Sequence, residues 1–168
     1  MVTLNEFNQL SADHKKNLLL QCVHIPRWAE EISQQAPFAS VDALSSFAKQ
    51  QAISWQWVEI LAALNTHPRI GEKQAKLQLS EKEQAFSIRE QAQITLDEEI
   101  QQALYKGNVA YEKKFGFIFL IRAAGLSSED ILTALNYRLV NDLYTEKRIV
   151  QQQLMEIALL RLSQEVQP

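Results

Sequence analysis

The chain has 168 residues, 46% of them hydrophobic, and a net charge of −3 with acids and bases mixed along its length. That is enough chain to bury a core as one domain, too apolar for a disordered polymer, and without the basic footprint of a nucleic-acid binder. A lone cysteine, Cys22, excludes a disulfide framework and a cysteine-based metal site, and it points to a reducing compartment.

Taken in chain order, the signals are helical. The opening MVTLNEFNQL lacks a signal-peptide pattern and instead holds a capping box, Thr3 with Glu6. Pro26 suits a first helical turn and opens RWAEEISQQA, which Pro37 ends. Ser40 can cap VDALSSFAKQQA, and Ser54 can cap WQWVEILAAL. Two further boxes pair Ser80 with Glu83 and Thr95 with Glu98. Ser127 or Ser128 can cap EDILTALNYRL, and a last helix runs from about Asp142 toward Gln164. Leu, Ala, Gln, Glu and Lys are abundant, and prolines number only four. FGFIFLIRAAG (115–125) is different: glycines sit near both ends, and the stretch between is almost continuously apolar. Periodicity alone permits a buried strand or a buried helix there. No strand partner appears elsewhere, so a helical or irregular buried segment is expected.

The expected fold class is therefore all-α: a single compact bundle of about eight or nine helices over residues 1–168, with an irregular apolar FGFxF segment. The longest apolar runs, such as FIFLI (117–121), are far too short to cross a bilayer. A cytoplasmic protein is expected, with no membrane and no nucleic-acid partner.

NTHPRIGEK (65–73) spends one of three histidines and one of four glycines in a single loop. Pro68 disfavours the α region for the residue before it, which pushes His67 into an extended conformation. Gly71 permits a tight turn soon after. One reading is a plain helix stop with a surface histidine. The other is an imidazole held in place for proton transfer. On the last helix, Val150, Leu154, Ile157 and Arg161 trace one face. The arginine must then either snorkel to the surface or meet a partner. A guanidinium fork facing a carboxylate or ureido carbonyl is the functional form of the second case.

Other candidates carry less. His14 and His24 sit among polar or capping residues without a motif. Arg69 is suited to pairing with an acid. Trp28, Trp55 and Trp57 are expected to pack in the core, and Tyr111 with Phe115 marks a core-facing helix side. Neither a phosphate-binding glycine motif nor a GxSxG context is present.

HPRIGEK, then SEKEQ (80–84), NVAYEKKFGF (108–117), ILTALNYRLVNDLYTE (131–146) and EIALLRL (156–162) occur in this order, preceded by CVHIPRWAEEI and APF. The ordered set resembles the family of OHCU decarboxylases, which act on 2-oxo-4-hydroxy-4-carboxy-5-ureidoimidazoline in urate degradation. The resemblance spans nearly the whole chain. It implies an all-helical enzyme, needing neither metal nor organic cofactor, that removes the substrate carboxylate to give (S)-allantoin. It implies that His67 is the catalytic histidine, with Glu83 and Arg161 as further catalytic residues. It places Pro68, Ser80 and Gln84 at the substrate, together with the backbone of Phe119, Leu120, Ile121, Arg122 and Ala123. The small molecule OHCU is the implied partner. A homodimer is compatible with such a domain, although no apolar patch for it is locatable in the sequence.

The residue types suit these roles, and each also has a plainer use. Glu83 is spaced to cap its own helix from Ser80, and a helix start also offers free N–H groups to an anion. Gln84 alone reads as a surface residue, whereas in a pocket its amide can donate to and accept from a ureido group. This chain departs from the family at Ile118, where many members have proline, and at Leu126, where many have a basic residue. Both touch the segment said to contact substrate. The rival readings are a helical ureido-binding or interaction module without catalysis, and an enzyme acting on a related ureide such as hydroxyisourate.

Overall fold

The computed structural model describes residues 1–71, 80–92 and 97–168. Among them, nine α-helices and two very short strands form two compact units, Met1–Ala63 with Leu154–Pro168, and Leu64–Gln153.

The first unit begins with β1 (Val2–Thr3) and four helices: α1 (Leu4–Gln9), α2 (Ala12–Cys22), α3 (Pro26–Gln35) and α4 (Val41–Ile53). Local chemistry sets their starts. The Thr3–Glu6 capping box forms, Pro26 sits in the first turn of α3, and the Ser40 hydroxyl accepts from the Ala43 N–H at 3.0 Å. After α3 the chain turns through a cis Ala36–Pro37 peptide, and Asn8 and Phe38 exchange two hydrogen bonds of 2.9 Å. Phe7, Leu19, Ile25, Trp28 and Ile32 are sealed from solvent. Trp28 donates to the Ala48 carbonyl and meets Trp55 edge-on, with ring centroids 6.0 Å apart, so both tryptophans pack as expected. Trp57 is only half-buried.

Two expectations change here. Ser54 does not cap the next helix: it ends α4, and its hydroxyl donates to the Gln51 carbonyl. The following helix, α5 (Trp57–Leu64), starts from Gln56, whose N–H donates to Glu59 and whose carbonyl accepts from Ile60. A chain of helix signals also concealed a strand pair. Val2–Thr3 runs parallel to β2 (Val166–Gln167), with Val2 opposite Val166. Two residues are too few for any alternation to register in the sequence.

The second unit holds α6 (Glu81–Glu90), α7 (Glu98–Phe115), α8 (Ser128–Arg138) and the N-terminal part of α9 (Leu143–Glu165). Ser127, the first of the two candidate serines, caps α8 and closes a capping box with Asp130. Asp97 caps α7 through the Ile100 N–H, and the expected cap Thr95 lies outside the described residues. Asp142 caps α9 by accepting from Thr145 at 2.7 Å. Helices α7 and α8 pack closely because position 107 is glycine: a Cβ there would lie 2.4 Å from Leu135 Cδ2. Gly116 ends α7 in the left-handed region at φ 84°, which a residue with a side chain would resist. Beyond it, residues 117–123 belong to no helix or strand, yet Phe117, Phe119, Leu120 and Ala123 are buried. The irregular apolar segment expected from FGFIFLIRAAG is present.

Candidate functional site

His67 is buried, 7% exposed, on the loop that leaves α5. Its own N–H donates to the Leu64 carbonyl at 3.1 Å, closing the turn before Pro68 carries the chain away. The plain surface-histidine reading does not hold, since Pro68 is buried beside it. Three anchors tie down the residues that follow. Arg69 forks onto the Glu112 carboxylate of α7, with Nε 3.0 Å from Oε1 and Nη2 2.7 Å from the same oxygen. Asn108 of α7 donates its amide to the Ile70 carbonyl. The Gly71 N–H, at φ 79°, donates to the Gln91 side chain at the end of α6. Glu72 and Lys73 of HPRIGEK lie outside the described residues.

At the start of α6, the two readings of Glu83 coexist. Ser80 Oγ accepts from the Glu83 N–H at 3.2 Å, and Glu83 Oε2 accepts from the Ser80 N–H at 2.8 Å. The capping box is real, and the carboxyl-bearing residue is nevertheless buried at 7% exposure, which is unusual for a cap serving a surface helix. Ser80 is exposed and Gln84 half-buried.

The 119–123 segment is held by side chains from two helices. Arg138 Nη1 donates to the Leu120 carbonyl at 2.7 Å, and its guanidinium lies 4.5 Å from the Phe119 ring centroid. Gln153 Oε1 accepts the Arg122 N–H at 2.9 Å. Phe119 and Leu120 are buried, Ile121 is half-buried, Arg122 is exposed and Ala123 is buried. Arg138 is itself paired with Glu146, Nε to Oε1 at 2.7 Å, and Tyr111 of α7 donates its hydroxyl to that same oxygen. Burial first, and the bond to Glu146 second, push the Tyr111 phenol well above its usual range, with Arg138 opposing.

One helix therefore serves both parts of the second unit's candidate site. Asn108 and Glu112 of α7 hold the His67 loop, while Tyr111 supports the pair that clamps residues 119–120. From the sequence, Tyr111 reads as core and Gln153 as part of a polar helix face, and Arg138, Glu146 and Asn108 carry no individual role. The available signal was that these last three lie inside two of the matching motifs, 108–117 and 131–146.

Arg161 lies in the first unit and is 4% exposed, so it does not snorkel. Its Nη1 stands 3.5 Å from the Cys22 carbonyl. Val150, Leu154 and Ile157 of the same stripe are buried as the spacing implied. His14 and His24 are exposed, the former against the Ser11 hydroxyl that caps α2.

Among the described residues, no cluster of three or more His, Cys, Asp or Glu could hold a metal, and no helix is long and apolar enough to cross a membrane. An open depression of about 450 Å³ is lined by Thr145, Arg148, Ile149, Gln152 and Gln153. All five lie on α9, and one helix surface offers no convergent walls, so it is a poor candidate for the chemistry.

Known proteins resemble this chain over most of its length. A 2-oxo-4-hydroxy-4-carboxy-5-ureidoimidazoline decarboxylase from Haloferax volcanii is 29% identical over 97% of this chain and 95% of its own length. A uric acid degradation bifunctional protein from Arabidopsis thaliana is 30% identical over 84% of the chain, which spans only 44% of that relative. A crystal structure of an OHCU decarboxylase in the presence of (S)-allantoin superposes with a TM-score of 0.71 and 27% identity, covering 86% of this chain and 93% of that one. The family model for OHCU decarboxylase matches residues 8–163, and the chain belongs to that family of decarboxylating enzymes.

Proposed function

We propose that residues 1–168 act as one domain that decarboxylates OHCU to (S)-allantoin in urate degradation, with the substrate supplying its own electron sink. The observation that carries this reading is the family match over residues 8–163, together with an intact, buried His67 on an anchored loop.

In OHCU one ring carbon bears both the carboxylate and a hydroxyl, beside an imine-type carbon. When the bond to the carboxylate breaks, CO2 leaves and the electron pair moves into the adjacent C=N system. A proton then reaches the neighbouring carbon from one face, and the hydroxyl carbon becomes a carbonyl. The protein's task is to hold the carboxylate out of the ring plane, stabilise the delocalised anion and choose the face.

His67 is assigned the proton transfer. Its buried loop, closed before it by the bond to the Leu64 carbonyl and held after it by the Arg69–Glu112 fork, supports a fixed imidazole. Glu83 is assigned to orienting the imidazole or crowding the departing carboxylate. Ser80 and the α6 start are assigned to negative charge on the substrate, and Gln84 and Arg161 to the ureido and ring carbonyls. Residues 119–123 are assigned backbone contacts. A cytoplasmic setting and a homodimer belong to the same proposal, and light scattering of the purified protein tests the second.

The decisive experiment adds the protein to newly generated OHCU and follows the product by circular dichroism. Rapid appearance of one enantiomer of allantoin is expected. His67→Asn should keep the fold and lose this activity. Near-normal turnover by that variant removes His67 from its role, and ligand binding without CO2 release supports the non-catalytic module instead.

A further inference from the structure

The peptide links on either side of Ile121 are each held by a side chain from outside the segment. Leu120 gives its carbonyl to Arg138 Nη1 at 2.7 Å. Arg122 gives its N–H to Gln153 Oε1 at 2.9 Å. Both links are trans, and in a trans peptide the C=O and N–H point in opposite directions. Fixing the Leu120 carbonyl on Arg138 therefore turns the Ile121 N–H away from Arg138. Fixing the Arg122 N–H on Gln153 turns the Ile121 carbonyl away from Gln153.

Arg138 is braced for this. Its Nε is on Glu146, which has no exposed surface and also accepts from Tyr111 and from Asn141 Nδ2 at 3.1 Å. Its planar face covers Phe119, and Tyr111 meets the Phe119 and Phe117 rings edge-on. The backbone just before Ile121 is therefore clamped from the side chains as well as from the carbonyl. Ile121 itself is half-buried and belongs to no helix or strand, so regular structure makes no claim on its polar groups.

We propose that Arg138 and Gln153 are positioning residues that set the Ile121 N–H and C=O as a donor and an acceptor for a ureide, the group in which an N–H stands next to a carbonyl. This rests on the decarboxylase reading and deepens it. It turns an assigned stretch of backbone contacts into one residue whose two polar groups recognise the ureide, with two distant side chains controlling their direction. Neither side chain need touch the substrate.

The test compares Gln153→Leu with Gln153→Glu in OHCU decarboxylation. Leucine fills similar space without an acceptor, whereas glutamate keeps an oxygen for the Arg122 N–H. Gln153→Leu should raise KM about five- to tenfold with kcat within about twofold, the effect of misaimed ground-state contacts. Gln153→Glu should restore KM to within about threefold of wild type. Arg138→Lys, which retains the charge facing Glu146 but lacks the fork, should resemble Gln153→Leu. If Gln153→Leu fails to fold, Gln153→Ala is read by the same split. An unchanged KM in the folded leucine or alanine variant, or a glutamate variant no better than leucine, overturns the proposal while leaving the decarboxylase reading standing. Wild-type protein that forms no allantoin overturns both.

Discussion

Arg138 and Glu146 form an ion pair away from solvent, with Nε 2.7 Å from Oε1 and Glu146 fully buried. Such a pair costs desolvation to assemble, and removing one partner strands the other charge. Glu146→Ala and Arg138→Ala should each lose about 3–5 kcal/mol in urea unfolding. The combined Arg138→Met, Glu146→Leu variant should lose less than either, because no lone charge remains. Additive losses would mean that the two side chains act separately.

Tyr111 gives stability a dependence on alkaline pH. Burial and the bond to Glu146 hold the folded phenol above its ordinary range, whereas the unfolded phenol ionises near pH 10. A raised folded pKa contributes fully below the unfolded value and is lost as pH rises beyond it. Above about pH 10 the wild type should therefore lose up to about 1.4 kcal/mol per pH unit more than Tyr111→Phe. Parallel pH profiles from chemical denaturation would contradict this.

Arg69 and Glu112 test the loop rather than the fold. Their side chains are 46% and 25% exposed, so the pair contributes only about 0–1 kcal/mol to stability. It nevertheless fixes the residue two places after His67. Glu112→Gln should leave the melting temperature nearly unchanged and reduce kcat for OHCU about three- to tenfold. Full activity in that variant would show that Asn108 and Gly71 suffice to hold the loop.

Arg161 should act on substrate affinity. Replacing a charged donor to a carbonyl removes an interaction of about 1.5–3 kcal/mol, so Arg161→Ala should raise KM roughly ten- to hundredfold, with a smaller change in kcat. An unaltered KM would count against its assignment to the ureido or ring carbonyls.

Most of the helical framework was legible because its causes are local. A serine or threonine three residues before an acid can cap a helix through neighbouring groups alone, and both Thr3–Glu6 and Ser80–Glu83 formed as read. Ser54 shows the limit. Its hydroxyl could serve the helix behind or the helix ahead, and the path of the turn decided for the former. Arg161 shows a different limit. The four, three, four spacing located the stripe, but whether a guanidinium at its end reaches water depends on what surrounds the chain end.

By itself, then, the sequence determined most helix starts, the irregular segment between Gly116 and Gly125, and the motif order that marks the family. All of these follow from near neighbours or from fixed spacing along one helix. Only the tertiary structure decided that Tyr111, Arg138 and Glu146 share one buried network, that Gln153 holds the Arg122 N–H, and that Val2 pairs with Val166. These partners are separated by 8 to 35 residues in the network, by 31 for Gln153, and by nearly the whole chain for the strands. Hydrogen bonds and burial act over a few ångströms of space, so pairing at such separations leaves no periodic trace to read.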